Sequence, residues 1–353
     1  MRSFEHEYLL EQPISHSQLT MVRVIGEHKG KQTLYQRQIP QFLENLTLSA
    51  KVESVESSNR IEGITAERRR ISDIVLHEST PQDRSEQEIA GYRDALSQIH
   101  ANAQSLVLET KLIKQLHRVM FSHTALPKGE WKEKDNAIWE VQPDGRRVIR
   151  FQPVSAVGTA AFMGSLCEQY HSYIDRKQTD PLLTIAAFIL DFSCIHPFWD
   201  GNGRMSRLLT LMLLYQNGYE VGRFISLERL IESSKDSYYE ALHQSSQGWH
   251  DARHDLRPWW NYFLGTLLAA YGEFEKRIGT LQSQKGAKQN IVSNALTRLP
   301  NEFRIEDLRS TCPGVSFQTI RLVLQDWKNR GWLVCHGSGK AARWRKIPNA
   351  DQA

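Results

Sequence analysis

A chain of 353 residues, 40% hydrophobic and 24% charged, has the composition of a globular protein and is long enough for more than one core. No apolar run reaches the ~18 residues of a membrane span, the opening Met1-Arg2-Ser3-Phe4-Glu5-His6-Glu7 lacks the apolar centre of a secretory leader, and four widely spaced cysteines argue against a disulfide framework or zinc site and for a reduced, cytoplasmic protein. The net charge of +4 is uneven: residues 285–348 hold 12 Lys and Arg against 4 Asp and Glu, an excess of eight that leaves the rest of the chain four negative, so a basic C-terminal module on a mildly acidic body is expected.

Residues 1 to about 35 show little periodicity and are expected on the surface. Over 38–56 the apolar positions Ile39, Phe42, Leu43, Leu46, Leu48, Val52 and Val55 fall at roughly helical spacing. The following Ser57-Ser58-Asn59-Arg60-Ile61-Glu62-Gly63 reads as a helix end, with Gly63 able to stop it. Helices are predicted over 67–77, 86–99 and 110–120. Pro127-Lys128-Gly129 breaks that pattern. Short β-like runs at 137–139 and 147–151 flank Pro143-Asp144-Gly145, which is a hairpin signal. Helical periodicity resumes over 157–174 and from Pro181 to 195. It continues over 208–218, over 227–242 (containing Tyr238-Tyr239), and from Asp255 to about 281. Residues 283–288 form a polar linker. The tail reads as helices at 290–299, 305–310 and 316–329, with a turn at Pro313-Gly314 and then a hairpin, which is winged-helix order.

Between the apolar runs 182–192 and 208–215 lies His196-Pro197-Phe198-Trp199-Asp200-Gly201-Asn202-Gly203-Arg204-Met205-Ser206-Arg207. Buried charge costs several kcal/mol unless paired, so a polar insertion this dense reads as a site on rigid supports. Gly201, Asn202 and Gly203 form a turn opening the next helix, whose free N–H groups and dipole make an anion site. Arg204 and Arg207, three apart, can both face that anion, and two guanidiniums suit a di- or triphosphate. Asp200 beside them would repel phosphate unless a cation such as Mg²⁺ intervenes. His196 is the nearby group that titrates near neutrality and the candidate general base. The chemistry expected is transfer of a phosphate ester from a Mg-nucleotide to a nucleophile that His196 deprotonates.

These twelve residues match every position of H-x-F-x-[D/E]-G-N-G-R-x-x-R, and the chain therefore resembles the Fic (Fic/Doc) family, with helices and hairpin over about 40–280 agreeing with its fold. The resemblance implies transfer of AMP from ATP to a Ser, Thr or Tyr hydroxyl of a protein, including this one, with release of pyrophosphate. It implies His196 as base, Asp200 as Mg²⁺ ligand, and Gly201, Asn202, Gly203 and Arg204 as the α/β-phosphate cradle. Arg207 would hold the γ-phosphate, and Met205 and Ser206 complete the nucleotide-binding stretch. Tyr238 and Tyr239 resemble a tyrosine pair that packs on adenine. Ser246 stands where some relatives carry a base-contacting Asn. The hairpin resembles a flap that aligns the target chain, through Ile138 and Trp139, by β-augmentation.

The resemblance also changes the reading of Ser58-Asn59-Arg60-Ile61-Glu62-Gly63, which matches an inhibitory motif, [S/T]-x-x-x-E-[G/N], found before some Fic cores. Glu62 would then pair with Arg207 and keep the γ-phosphate from it, with Ser58 capping the helix or orienting Glu62. The expected fold is mainly α: a Fic-type helical core with a small β-hairpin flap, plus a C-terminal winged-helix domain. The layout is 1–110 for the N-terminal helical region with the inhibitory motif, 111–282 for the catalytic core, and 283–353 for the winged-helix domain. The partners implied are ATP, target proteins, a second copy in a homodimer, and DNA through 283–348, with no membrane. Two other functions fit the same residues: a DNA-binding regulator whose Fic body senses nucleotide, and a Fic enzyme that uses another donor or removes AMP.

Overall fold

The computed structural model describes residues 2–126, 128–141, 144–282, 287–312, 315–337 and 342–347. The helices before the hairpin are α1 (Tyr8–Glu11), α2 (His16–Gln38), α3 (Pro40–Ile61), α4 (Arg68–His77), α5 (Arg84–Asn102) and α6 (Thr110–Met120). Strands β1 (Ile138–Val141) and β2 (Arg147–Phe151) pair antiparallel, with Trp139 opposite Ile149. Then follow α7 (Ala156–Arg176), α8 (Pro181–Ile195), α9 (Asn202–Gln216), α10 (Leu227–Ser233), α11 (Lys235–Ser246) and α12 (Arg257–Gln282). The C-terminal elements are α13 (Ala287–Arg298), β3 (Glu302–Arg304), α14 (Ile305–Thr311), α15 (Phe317–Asn329), β4 (Leu333–His336) and β5 (Arg343–Lys346). The chain is mainly helical, as expected, and among the described residues no helix is long and apolar enough to cross a membrane. Two compact units emerge, Met1–Lys29 with Leu46–Gly272, and Gly30–Asn45 with Glu273–Ala353.

In the first unit α8 is the central rod. Its side chains are apolar almost all round and nearly all buried, which is how a helix enclosed by others reads. Asp180 caps its start by accepting the Leu182 N–H, and Pro181 at the first position has no N–H to leave unmatched. Helices α7 and α9 pack on α8, and α5 packs on α6 and α9. Gly91 marks the α5–α6 crossing: a Cβ there would lie 2.0 Å from the Met120 carbonyl oxygen. Gly91→Ala is expected to lower stability by about 2 kcal/mol through overpacking. An unchanged denaturation midpoint would contradict this close approach.

Two expectations are corrected. Residues 1–35 are not a surface segment: Ser3, Phe4, Leu9 and Ile25 are buried. The cause is Asp191, the carboxylate within α8. It is fully buried and satisfied by the Ser3 N–H (3.1 Å), Ser3 Oγ–H (2.6 Å) and Trp249 Nε1–H (2.6 Å). A core carboxylate needs such donors, and a partner 188 residues away leaves no local pattern. The single helix expected over 227–242 is broken at Ser234, whose Oγ donates back to the Leu230 carbonyl and exchanges a hydrogen bond with the Tyr262 hydroxyl. Serine competes for helix carbonyls in this way.

In the second unit the C-terminal elements form a three-stranded antiparallel sheet in the order β3-β5-β4, with Trp344 opposite both Phe303 and Cys335. Val292, Leu296, Phe303, Leu308, Ile320, Leu324 and Leu333 make its core. Ser316 caps α15 by accepting the Thr319 N–H. The predicted turns at Pro127, Pro143 and Pro313-Gly314, linker residues 283–286 and wing residues 338–341 lie outside the described residues.

Candidate active site

The motif begins where α8 stops. His196 takes the left-handed conformation, φ 50° and ψ 61°, and its N–H closes the helix on the Phe192 carbonyl at 2.9 Å. The turn that follows is fastened to itself. Asn202 Oδ1 accepts the Phe198 N–H (2.9 Å) and its Nδ2–H donates to the Phe198 carbonyl (2.8 Å). Gly201 precedes α9 at φ 78°, leaving the first N–H groups of α9 open. From below, His117 on α6 stacks on Phe198 at 3.8 Å and 9°. Its Nδ1 accepts the Gly129 N–H (2.9 Å), so its Nε2–H donates to the Asp200 carbonyl (3.1 Å).

Burial drives the His117 pKa down to about 4 from the ordinary 6.5. The folded state then refuses a proton that the unfolded chain accepts. Stability carried by neutral His117 is present above pH 6.5 and is lost as pH falls toward 4, by about 1.4 kcal/mol per pH unit. Urea titrations of the wild type and His117→Gln across this window are expected to show the steeper decline in the wild type. Parallel declines would refute a neutral buried His117.

A cavity of about 790 Å³ lies over the N-terminal turn of α9. Its walls bring together His196, Asn202, Gly203, Ser206, Arg207, Tyr238, Tyr239, Ser246, Ile138, Trp139 and Glu62. Glu62 follows the last turn of α3. Its Oε1 accepts from Arg207 Nη2 at 2.8 Å, and the carboxylate sits where a Cβ on Gly203 would be, 2.3 Å from that point. A carboxylate therefore occupies the N-terminal turn of α9, where an anion is favoured. Ser58, fully buried behind the cavity, fixes the other edge of Arg207: its Oγ accepts from Nε (2.9 Å) and its carbonyl from Nη2 (2.9 Å). Arg207 Nη1 is buried with no hydrogen-bond partner among the described residues. Burial pushes the Glu62 pKa up, but the Arg207 charge and hydrogen bond outweigh it and the net direction is down.

His196 is partly exposed at the cavity wall. Burial of its ring and the nearby Lys132 ammonium push its pKa down to about 4, against a hydrogen bond to the Ser193 backbone and the charges of Glu62 and Asp200. The imidazole is therefore neutral at physiological pH and can accept a proton.

Not every motif residue reaches the cavity. Arg204 does not line the cavity, although its charge, like that of Arg207, acts on the Glu62 carboxylate. Arg204 is buried under α5, where Nη1 pairs with Glu88 at 2.8 Å and the guanidinium lies over the Phe121 ring. The buried Glu88 carboxylate needs a cation, and Arg204 supplies it. Met205 is core, fully buried. Gly201 does not line the cavity, and Asp200 faces a neighbouring cavity of about 590 Å³ beside Trp131 and Trp199, its carboxylate exposed and its Oδ1 accepting the Gly201 N–H at 2.6 Å. Tyr238 is buried against Trp259 and Tyr262, while Tyr239 is the half-buried member of the pair. Several residues come to the site without a local signal in the sequence. Lys235 Nζ donates to the Ile61 carbonyl (2.8 Å), capping α3 just before Glu62. Arg150 Nη2 donates to the Tyr239 carbonyl (2.5 Å), tying β2 to α11. His117 on α6 and Lys132 in the segment after it hold the motif turn from the side of the neighbouring cavity.

Residues 107–214 match the profile of the Fic/DOC family. They form a Fic/DOC family domain. Over 82 residues, 22% of this chain and 57% of the relative, the sequence is 35% identical to a Fido domain-containing protein of Dictyostelium discoideum. Over 229 residues, 61% of this chain and 41% of the relative, it is 27% identical to the protein adenylyltransferase Fic of Drosophila willistoni. The matches thus span between about two fifths and three fifths of the lengths of these relatives. A Fic domain-containing signalling protein from Bacteroides thetaiotaomicron has a similar structure, with a TM-score of 0.59 and 25% identity over 71% of this chain and 95% of that one.

Proposed function

We propose that this chain is a protein adenylyltransferase that moves AMP from ATP to a hydroxyl of a target protein or of itself. The observation that carries the reading is the convergence, in one cavity, of a neutral imidazole, the open N-terminal turn of α9 and a buried guanidinium with an unmatched Nη1. The target oxygen attacks the α-phosphorus and gives its proton to His196. An O–P bond forms, the bond from the α-phosphorus to the bridging oxygen breaks, and pyrophosphate leaves. The phosphates lie along the α9 turn formed by Asn202, Gly203 and Ser206, and Arg207 takes the terminal one. Tyr239 packs on the base, and the edge of β1 at Ile138 and Trp139 receives the target strand.

Asp200 would hold Mg²⁺. Its carboxylate is exposed, and one carboxylate together with waters and substrate phosphates is a ligand set that Mg²⁺ accepts. When bound, the ion would neutralise charge on the phosphate chain. Glu62 holds the chain inactive in this reading: its carboxylate occupies both the α9 turn and one edge of Arg207.

The helix, strand, helix, helix, strand, strand order of the C-terminal unit supports a winged-helix module. Exposed Gln318 and Arg321 on α15, with Arg343 and Arg345 on β5, are the residues that would meet DNA. Binding of this kind would weaken with salt in a mobility-shift assay. The main proposal is tested by mass spectrometry of the chain and a cell lysate after incubation with ATP and Mg²⁺. Addition of one adenylyl group to a Ser, Thr or Tyr supports it; its absence from wild type and Glu62→Gly alike refutes it.

A further inference from the structure

Lys132 grips the chain on both sides of His196. Its main-chain N–H donates to the Pro197 carbonyl at 2.9 Å, and its Nζ donates to the Ile195 carbonyl at 3.1 Å. The side chain is almost fully buried, and its ammonium is further held by a neutral acceptor, Asn136 Oδ1, at 2.8 Å. Asn136 Nδ2 in turn donates to the Phe198 carbonyl. The segment 132–136 is thereby stitched to three peptides of the motif turn, at residues 195, 197 and 198.

Two features of His196 call for such a clamp. First, its backbone is left-handed, φ 50°, a conformation that costs a non-glycine residue about 1–2 kcal/mol and persists where its surroundings enforce it. The Ile195 carbonyl belongs to the peptide that opens His196 and the Pro197 carbonyl to the one after the proline, so the two bonds pin the chain on either side of that residue. Second, Ile195 is the last residue of α8, whose exposed carbonyls carry the negative end of the helix dipole. A cation is stabilised there, so a buried ammonium is tolerated without a carboxylate, and its charge acts on the imidazole.

We propose that Lys132 is a positioning residue for His196, fixing the left-handed turn that aims the imidazole and holding a positive charge against it; this rests on the reading of His196 as the base. The ammonium itself feels its surroundings: burial pulls its pKa down to about 8, with Asp135 acting the other way. The charge on Lys132 opposes protonation of His196, while Glu62 and Asp200 favour it. A proton acceptor that is neutral and fixed in direction is what the transfer step requires.

The test reads the imidazole directly, without nucleotide or metal. Histidine-selective NMR titration of the wild type, with the His196 signal identified by its loss in His196→Gln, is expected to give a midpoint near 4. Lys132→Met and Lys132→Gln are each expected to raise that midpoint by about one pH unit or more, and Lys132→Arg to leave it low. The glutamine variant keeps a donor for the Ile195 carbonyl, so it reports on charge even if the methionine variant fails to fold. In a Glu62→Gly background, kcat for AMP transfer is expected to fall about 10²-fold in Lys132→Met with the KM for ATP unchanged, and Lys132→Arg to recover most of it. A wild-type midpoint near 6.5, or a midpoint that the folded neutral variants do not move, overturns the proposal. A midpoint that moves as expected while no variant, Glu62→Gly included, transfers AMP upholds the positioning role and refutes the adenylyltransferase reading instead.

Discussion

Glu62→Gly is expected to raise AMP transfer about 10- to 100-fold over the wild-type chain. The estimate follows from the contact removed. One charge-assisted hydrogen bond to Arg207 contributes about 1.5–3 kcal/mol, which is a factor of about 10 to 100 in an equilibrium or a rate. That contact is monodentate, at 2.8 Å. Ser58 continues to hold Arg207 Nε and Nη2 after the change, so the guanidinium stays in place and gains a free edge for phosphate. The same substitution vacates the space over Gly203, which opens the α9 turn as well. Glu62→Gln keeps the volume and loses the charge, and an intermediate gain is expected from it. Incorporation of labelled AMP measures all three proteins side by side, and an unchanged rate in Glu62→Gly would remove the inhibitory role. Glu62 could instead orient a water for AMP removal. In that case an adenylylated protein would keep its label in the variant and lose it in the wild type, so the same gel separates the two roles.

What could be read from the chain beforehand divides along physical lines. The helix over 110–120 coincides with α6, and the hairpin registers at Trp139 and Ile149, because periodicity and turn residues are local signals. The candidate site was legible for a related reason: imidazole, turn and guanidinium lie within twelve consecutive residues, where spacing alone places them at one helix start. The destination of Arg204 was not legible. Residue spacing put it beside Arg207, but a buried carboxylate on α5 captured it, and that competition depends on packing over 116 positions of chain. Ser3 meeting Asp191 and Lys132 meeting Ile195 belong to the same class. Each is a buried polar group satisfied by a distant donor, and neither partner carries a pattern that names the other.

His196→Ala is expected to lower AMP transfer by about 10²- to 10⁴-fold, the range that positioned proton transfer supplies, with little change in ATP affinity. The division follows from where the groups sit. The open N–H groups of the α9 turn and Arg207 belong to α9, and Tyr239 belongs to α11. None of them hangs from His196, which caps the end of α8 through its backbone N–H. That N–H survives the substitution, and alanine in place of a left-handed histidine adds at most about 1 kcal/mol of strain, so the turn is expected to stay folded. The experiment is carried out in the Glu62→Gly background, where the rate is high enough to measure a large loss. Nucleotide affinity is followed separately by calorimetry. Transfer that persists in His196→Ala would take the proton-accepting role away from this residue and point to His243, the other histidine that lines the cavity among the described residues. A paired His243→Ala would then decide between the two.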